Sequence, residues 1–354
     1  MRILRRYIGS TMIKLTLMVL VIVLGMEFFI VFVGELGDIG TGNYGLLQAL
    51  RYVVLTLPMN LYQLFPMVGL LGSLIGLGAL GSNSELIVMR TSGVSVYQII
   101  QAVVLAAIIL IAGVTFIGEC VAPEAQHIAD TGKIISESGG QALNTTKGLW
   151  VRHGNDFVHI QTISPGLILH NIVEYHYDDQ GDLMMALQAK SAERIKGVWQ
   201  LRHVKASYIG KNKITTKASD RAPWPVPVDA KLLGVTKNNA QELSIVGLYH
   251  YIKYEQRNGL NVSSYALTFW QRVFQPLATL IMILLAVPFV FGPLRQVSMG
   301  VRIVTGAVLG FAFYLLNQFF GPFSLVYQVS PIVGASLPII LFACLAIWLM
   351  TRVR

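Results

Sequence analysis

Charged side chains inside long apolar runs are the most chemically loaded residues of this chain. Glu27 lies deep in the first run, and Glu119 and Arg272 lie near the ends of two others. A charge in hydrocarbon is costly and usually faces a cavity, a partner or water. Glu27 has no snorkelling route, which predicts a lumen-facing or paired position. Arg272, with Trp270 beside it, can instead snorkel to a membrane interface. A second concentration of polar groups is residues 81–96, GSNSELIVMRTSGVSV, a break between two apolar runs. Ser82 or Ser84 can cap a helix start there, Glu85 suits the positive end, and Gly93 can end it. The spacing predicts a two- to three-turn helix with Leu86, Ile87, Val88 and Met89 in its centre, an apolar face and a charged edge. Two readings stay open: a membrane-surface turn with solvated charges, or a coupling helix that docks into a soluble partner.

Other chemistries lack their residues. Gly132-Lys133 runs into Ile134 and Gly210-Lys211 into Asn212, so no phosphate-cradling loop is spelled out. There is no His-Glu-x-x-His and no Gly-x-Ser-x-Gly. All 7 histidines fall between His127 and His250 without ligand spacing, so no metal site is expected. The 2 cysteines, Cys120 and Cys344, give no disulfide framework and read as packing residues. Any nucleotide energy must come from a second chain.

The elements that position these residues are membrane spans. The chain has 354 residues, 54% of them hydrophobic and 13% charged, with a mean hydropathy of +0.60. These values exclude an ordinary soluble domain. Apolar runs long enough for a hydrocarbon core of about 30 Å are expected at 12–34, 52–81, 96–119, 274–291, 301–320 and 332–350. The basic start (Arg2, Arg5, Arg6, Lys14) precedes a stretch without a cleavage site, so it reads as a retained span. Arg90, Arg295, Arg302, Arg352 and Arg354 fall on the same side as that start, which predicts cytoplasmic termini.

Between the span groups, residues 121–243 read as β. Strand-like runs flank the turn signals at 153–156, 178–182, 196–197 and 210–212, as in an antiparallel sandwich or jellyroll. Pro223, Pro225 and Pro227 suit an edge or linker. Ile245, Leu248, Tyr249 and Ile252 then form one face of a connecting helix. The expected organisation is 1–120 (three spans), 121–243 (β-domain) and 244–354 (connecting helix and three spans). Gly72–Gly76 and Gly306–Gly310 are GxxxG pairs for close helix approach, and Pro58, Pro66 and Pro276 can kink spans.

Together these features resemble the lipopolysaccharide export permeases LptF and LptG. The resemblance covers essentially the whole chain and is carried by Phe65-Pro66-Met67, Ser84-Glu85-Leu86-Ile87-Val88-Met89 and Gly118-Glu119-Cys120-Val121-Ala122-Pro123. It continues in Phe274-Gln275-Pro276-Leu277, Phe291-Gly292-Pro293-Leu294-Arg295, Met299-Gly300-Val301-Arg302 and Phe320-Gly321-Pro322. The last sets look more like LptG-type members. The resemblance implies an inner-membrane, six-span α-helical exporter with an inserted periplasmic β-jellyroll. Its partners would be an LptF-type permease, two copies of an LptB-type ATPase and an LptC-type periplasmic protein, with no nucleic acid. ATP and Mg would be bound by the ATPase, with no cofactor on this chain. Ser84, Glu85, Leu86, Met89 and Arg90 would lie on the ATPase-coupling helix.

The substrate implied is lipopolysaccharide, entering between first and fifth spans. Met18, Val21, Ile22, Ile30, Val31, Val308, Phe311 and Leu315 are candidate acyl contacts, and Glu27 and Arg272 candidate polar ones. LptG-type members often carry lysines at the outer end of the first span and just before Phe-Pro-Met. Here those stretches read Ile30–Asp38 without a basic residue and Pro58-Met59-Asn60-Leu61. The remaining local cations are Arg272, Lys133 and Arg51, so a lopsided phosphate site is expected, supplied mostly by the LptF-type partner. Glu27 and Glu35 could alternatively meet cationic decorations on the lipid. A secondary transporter would need midplane ion-coupling groups and related halves, and a scaffold would need less helix packing than this chain has.

Overall fold

A computed structural model describes residues 2–137, 143–153, 155–164, 168–195, 198–210, 213–224, 240, 243–257, 262–291 and 297–352. Helices α1 (Arg2–Glu35), α2 (Leu46–Ser82), α3 (Glu85–Thr91), α4 (Val96–Phe116) and α5 (Ala122–Glu137) come first. A 3₁₀ turn at Leu36–Asp38 follows α1, and a π turn at Ile117–Val121 joins α4 to α5. Strands β1 (Leu143–His153), β2 (Asp156–Ser164), β3 (Ile168–Tyr177), β4 (Leu183–Ile195), β5 (Val198–Ile209) and β6 (Ile214–Trp224) come next. Helices α6 (Ile245–Arg257), α7 (Ser263–Phe291), α8 (Met299–Val326) and α9 (Pro331–Arg352) complete the described chain.

Six helical stretches are long and apolar enough to cross a membrane: Ile3–Asp38, Leu46–Ser82, Val96–Lys133, Ser263–Phe291, Met299–Val326 and Pro331–Arg352. They contain the expected spans but overshoot them. At about 1.5 Å per residue, α1 and α2 outreach a hydrocarbon core of about 30 Å. Burial separates their roles: the most apolar window of α2 is 72% buried, that of α1 only 11%. The second span is therefore the spine, packing on α1, α5, α7 and α8. Leu70, Leu74 and Leu77 of α2 meet Ile8 and Met12 of α1, Met282 and Ile283 of α7, and Phe313 of α8 in one core.

Both GxxxG pairs are close-approach sites. A Cβ on Gly72 would lie 2.5 Å from the Thr16 Cα, and one on Gly76 3.3 Å from the Met12 Cα. On the other side of α2, Gly310 leaves 2.6 Å to Met67 Cγ and Gly306 2.7 Å to Leu74 Cδ1. Side chains larger than glycine would push α1 and α8 off the spine.

The strands form one antiparallel meander in the order β1-β2-β3-β4-β5-β6. The expected reversals hold: His153 pairs with Asp156, Ile195 with Val198 and Ile209 with Ile214. At 178–182, Asp178 Oδ1 accepts from the Gln180 and Asp182 amides, and Gly181 supplies a φ of 89°. Pro223 lies in β6, the last described strand of the sheet, as expected of an edge proline. Asn171 and His203 adopt left-handed φ of 50° and 52° and align across Lys190 of β4. Buried positions change parity along that line: Leu169 then Ile172, Ala192 then Ala189, Leu201 then Val204. The sheet is thus creased, with Val158, Ile160, Trp199 and Trp224 in its core. A jellyroll would need a further sheet; Pro225 and Pro227 lie outside the described residues.

Two expectations are corrected. Residues 122–137 are helical, not β: α5 continues from α4 through the π turn at 117–121, and Ala122 and Ala129 bury against α2. Cys120 and Cys344 are exposed on the isolated chain, so neither is a packing residue of its core.

Candidate functional site

The 81–96 break folds as expected into a short helix, the 7-residue α3. Its start differs from the expected cap. Ser84 takes a left-handed φ of 63° and makes no side-chain cap bond. The Glu85 carboxylate accepts instead from Asn83 Nδ2 at 3.4 Å and faces Tyr7 of α1. Gly93, at φ 87°, ends the segment. The apolar side is divided: Leu86 and Met89 are buried in the helical core, whereas Ile87 and Val88 are 47% and 61% exposed. Leu86 and Met89 therefore root α3 on the spans rather than present it outward. Ile87 and Val88, with Arg90, form its outward face, and helical periodicity alone did not separate the two pairs.

A cavity of about 240 Å³ opens beside α3, lined by Gly81, Leu86, Ile87, Arg90, Val290 and Arg302 among others. Arg302, only 2% exposed, donates from Nη1 to the Gly78 carbonyl at 2.5 Å and to Ser82 Oγ at 2.9 Å. It ties the start of α8 to the last turn of α2, where unpaired carbonyls attract a cation. The root of α3 is thereby joined to α2, α7 and α8.

At the opposite end of the spans, proline chemistry stitches α2 to α7. Pro66 cannot donate to the Tyr62 carbonyl, and Pro276 cannot donate to that of Arg272. Gln275 Nε2 donates to the Tyr62 carbonyl at 2.7 Å, and the Tyr62 hydroxyl donates to the Arg272 carbonyl at 3.3 Å. Each kink is satisfied by a side chain of the other helix, which is how proline survives in a span. The i−4 rule applied to Phe65-Pro66 and Gln275-Pro276 is the signal by which the sequence exposes both orphan carbonyls.

Arg272 does not snorkel. It is 4% exposed, and its Nη1 donates to Glu119 Oε1 at 3.0 Å and to the Gly118 carbonyl at 3.3 Å. The guanidinium also lies 5.8 Å from the Tyr62 ring centroid. The other oxygen of Glu119 accepts from the Ile245 amide at 2.7 Å, the first N–H of α6. The π turn at 117–121 sets Glu119 between these partners. One carboxylate thus joins the third span, the connecting helix and the fourth span. Spacing could not reveal a pair separated by 153 residues.

Lys133 is engaged in the same way. Its Nζ lies 2.7 Å from Glu35 Oε2, 2.8 Å from Asp38 Oδ2 and 3.8 Å from Glu137 Oε1. The Tyr44 hydroxyl donates to Glu35 at 2.6 Å, and burial together with that bond pushes its pKa above the usual phenol range. Two of the three cations expected to meet lipid phosphate are thus held by this chain's own carboxylates, and Glu35 is not free for cationic decorations. Arg51 is exposed. Glu27 is half-buried, with no ion pair or hydrogen bond among the described residues.

The candidate acyl contacts fall mostly on open surfaces. Met18, Val21, Ile22 and Ile30 of α1 are 59%, 70%, 52% and 62% exposed, and Val31 is half-buried. Val308, Phe311 and Leu315 of α8 are also exposed. These faces flank the buried α2. Between α2, α7 and α8, Gln63, Gln271, Gln275, Tyr314, Asn317 and Gln318 line a polar cavity of about 80 Å³, which hydrophobicity-led reading passed over.

Residues 6–352 match the family described as lipopolysaccharide export system permease LptF/LptG. The lipopolysaccharide export system permease protein LptG of Escherichia coli (strain K12) is 38% identical over 353 residues, covering 99% of this chain and 98% of that protein. LptG of Haemophilus influenzae (strain ATCC 51907 / DSM 11121 / KW20 / Rd) is 36% identical over 351 residues, with the same coverage of both. With a family match over nearly its whole length, this chain belongs to the LptF/LptG lipopolysaccharide export permeases.

Proposed function

We propose that this chain is the LptG-type permease subunit of an ATP-driven lipopolysaccharide exporter. The carrying observation is α3, rooted by Leu86 and Met89 and presenting Ile87, Val88 and Arg90 outward at one end of the spans. An LptB-type ATPase binds ATP and Mg and docks on that face, with Glu85 as an acidic contact. Two such ATPases serve one LptF-type permease and this chain. An LptC-type protein receives the lipid on the far side.

In this reading both termini and α3 are cytoplasmic, three spans lie on each side of a periplasmic β-domain, and that domain closes as a jellyroll. Positive residues favour this orientation: Arg5, Arg6, Arg90 and Arg302 lie at one end of the helical body. Acyl chains lie against Met18, Val21, Ile22, Ile30, Val31, Val308, Phe311 and Leu315, with Glu27 beside the cavity. Motion of α3 passes through Leu86, Met89 and Arg302 into α2 and α8, and squeezes the wall formed by α1 and α8. Lipid phosphates find their cations mainly on the LptF-type partner, because Arg272 and Lys133 are spent internally.

The test is mass spectrometry of the intact complex, reading subunits and bound lipid together. The expected result is one copy of this chain with an LptF-type permease, two ATPase copies and lipopolysaccharide. A complex that contains no ATPase, or that never carries lipopolysaccharide, overturns the reading.

A further inference from the structure

A second lipid-shaped surface lies at the other end of α1. A groove of about 580 Å³ runs between α1 and α4, bounded by Arg5, Arg6, Gly9, Ser10, Ile13 and Lys14 of α1 and by Ala102, Leu105, Ala106 and Ile109 of α4. Its floor is small: a Cβ on Gly9 would sit 3.8 Å from the Ala106 Cβ. Its walls are greasy, with Leu105 and Ile109 each 55% exposed. Its mouth is basic, because Arg6 and Lys14 are exposed and Arg5 reaches across to Gln101 Oε1 at 2.6 Å. No carboxylate lines it.

We propose that this groove holds an anionic glycerophospholipid of the leaflet on the side of the chain termini. Arg6 and Lys14 face the phosphate and headgroup charge, and an acyl chain lies over Gly9, Ala102 and Ala106. Charge complementarity selects an anionic headgroup, since basic residues at that depth attract acidic lipids. Length selects a lipid over a protein helix. From Arg5 to Lys14 the groove spans roughly 14 Å of helix, about half of what a helix crossing a hydrocarbon core of about 30 Å would cover. A spanning helix would line α1 through both leaflets. The groove is separate from the proposed substrate wall: it ends at Lys14, before Met18, the first wall residue of α1, and at about 100° per residue Gly9 and Ile13 lie on the opposite face of α1 from Met18 and Ile22. The inference rests on the membrane topology proposed above but not on the identity of the exported lipid. The bound lipid would act as a wedge that fixes the inner half of α1 on α4 while its outer half moves.

The test uses the whole transporter in nanodiscs of phosphatidylglycerol or phosphatidylethanolamine, with retained lipid read by native mass spectrometry. Phosphatidylglycerol should be retained at least tenfold better than phosphatidylethanolamine, and the Arg6→Gln/Lys14→Gln double variant should lose about tenfold of that retention. Both positions are exposed, so folding is not at stake. Gly9→Leu should displace the lipid by filling the floor, while Gly9→Ala should not. A photo-crosslinking residue at Leu105 should capture phospholipid. Equal retention of the two lipids, unchanged retention in the double variant, or capture of another protein chain at Leu105 overturns the inference. Lipopolysaccharide appears at its own mass in the same spectra, so loss of the export reading and loss of this site are scored separately.

Discussion

At the end of the helical body that leads into the sheet, Lys133 is held by Glu35, Asp38 and Glu137, and Arg272 by Glu119. At the end that carries the termini, Arg6, Lys14 and Arg90 are exposed and no described carboxylate pairs with them. Cations at the first end are closed inside the chain and fix how α1, α5, α6 and α7 meet. Arg6, Lys14 and Arg90 at the second are left open, beside a groove and beside α3, whereas Arg302 at that end is closed onto Gly78 and Ser82. The difference teaches that charge type alone does not mark a binding surface. A cation whose partner lies within the same chain is architecture, and one without such a partner is available to a ligand or a neighbour.

The largest expected effect comes from opening the closed end. Arg272→Met leaves Glu119 charged and without its cation in a site where the arginine side chain is 5% exposed and the glutamate 18%. Breaking a buried pair on one side costs about 3–5 kcal/mol. The variant should denature well before wild type in a detergent-solubilised unfolding series. Arg272→Met/Glu119→Leu should recover most of that loss, because no orphan charge remains. If the double variant is no better than the single one, the pair is not what Arg272 contributes.

Disturbing the open end should spare stability and remove assembly. Ile87→Asp/Val88→Asp puts two charges on the outward face of α3 and should weaken binding of the proposed ATPase partner by about 2–4 kcal/mol, measured as loss of co-purification. Leu86→Asp should instead reduce folding, since Leu86 is 3% exposed. Glu85→Ala should lower coupling and leave the sheet folded. Equal behaviour of Ile87→Asp and Leu86→Asp would erase the division of α3 into root and face.

These contrasts explain what could be read from the sequence. Spans were legible because unbroken apolar runs need no tertiary information, and turns such as 178–182 because Asp and Gly at fixed spacing bond locally. The connecting helix was legible from Ile245, Leu248, Tyr249 and Ile252, and Leu248 is indeed fully buried. Residues 122–137 were not, because their polar composition hides an element whose burial depends on α2 extending past the hydrocarbon. Arg272 was misplaced because snorkelling is a property of one residue, whereas its ion pair needs a second one far along the chain. In α3 the sequence located the helix but not which residues face the spans, since all four of Leu86, Ile87, Val88 and Met89 are apolar.

A smaller effect is expected at Lys133, which is partly exposed. Lys133→Met leaves Glu35, Asp38 and Glu137 facing one another and should cost about 1–2 kcal/mol, less at high salt, where the remaining repulsion is screened. Hydrogen exchange across α1's outer turns and α5 should rise together. A rise confined to α5 would mean that Lys133 does not tie the two helices.

The smallest effect tests whether an unpaired buried acid in the sheet follows the same rule as the paired ones. Glu174 is 5% exposed and accepts from Trp224 Nε1 at 2.8 Å. Burial raises its pKa, with the indole bond and His176 opposing and Asp156 assisting. The raised value means that the folded state holds a proton that the unfolded chain has already released. Stability from this site is therefore complete below the ordinary carboxylate pKa and is lost as pH rises through the raised folded value. Glu174→Gln keeps an oxygen acceptor for the indole and removes the titration. It should be more stable than wild type near neutral pH and should flatten the mildly acid limb of the stability profile. Tryptophan-monitored unfolding at pH 4 and pH 7 checks this, because Trp224 touches the group directly. A variant with the same acid limb as wild type would show that Glu174 ionises in the fold without penalty, as an acid with a cation beside it would.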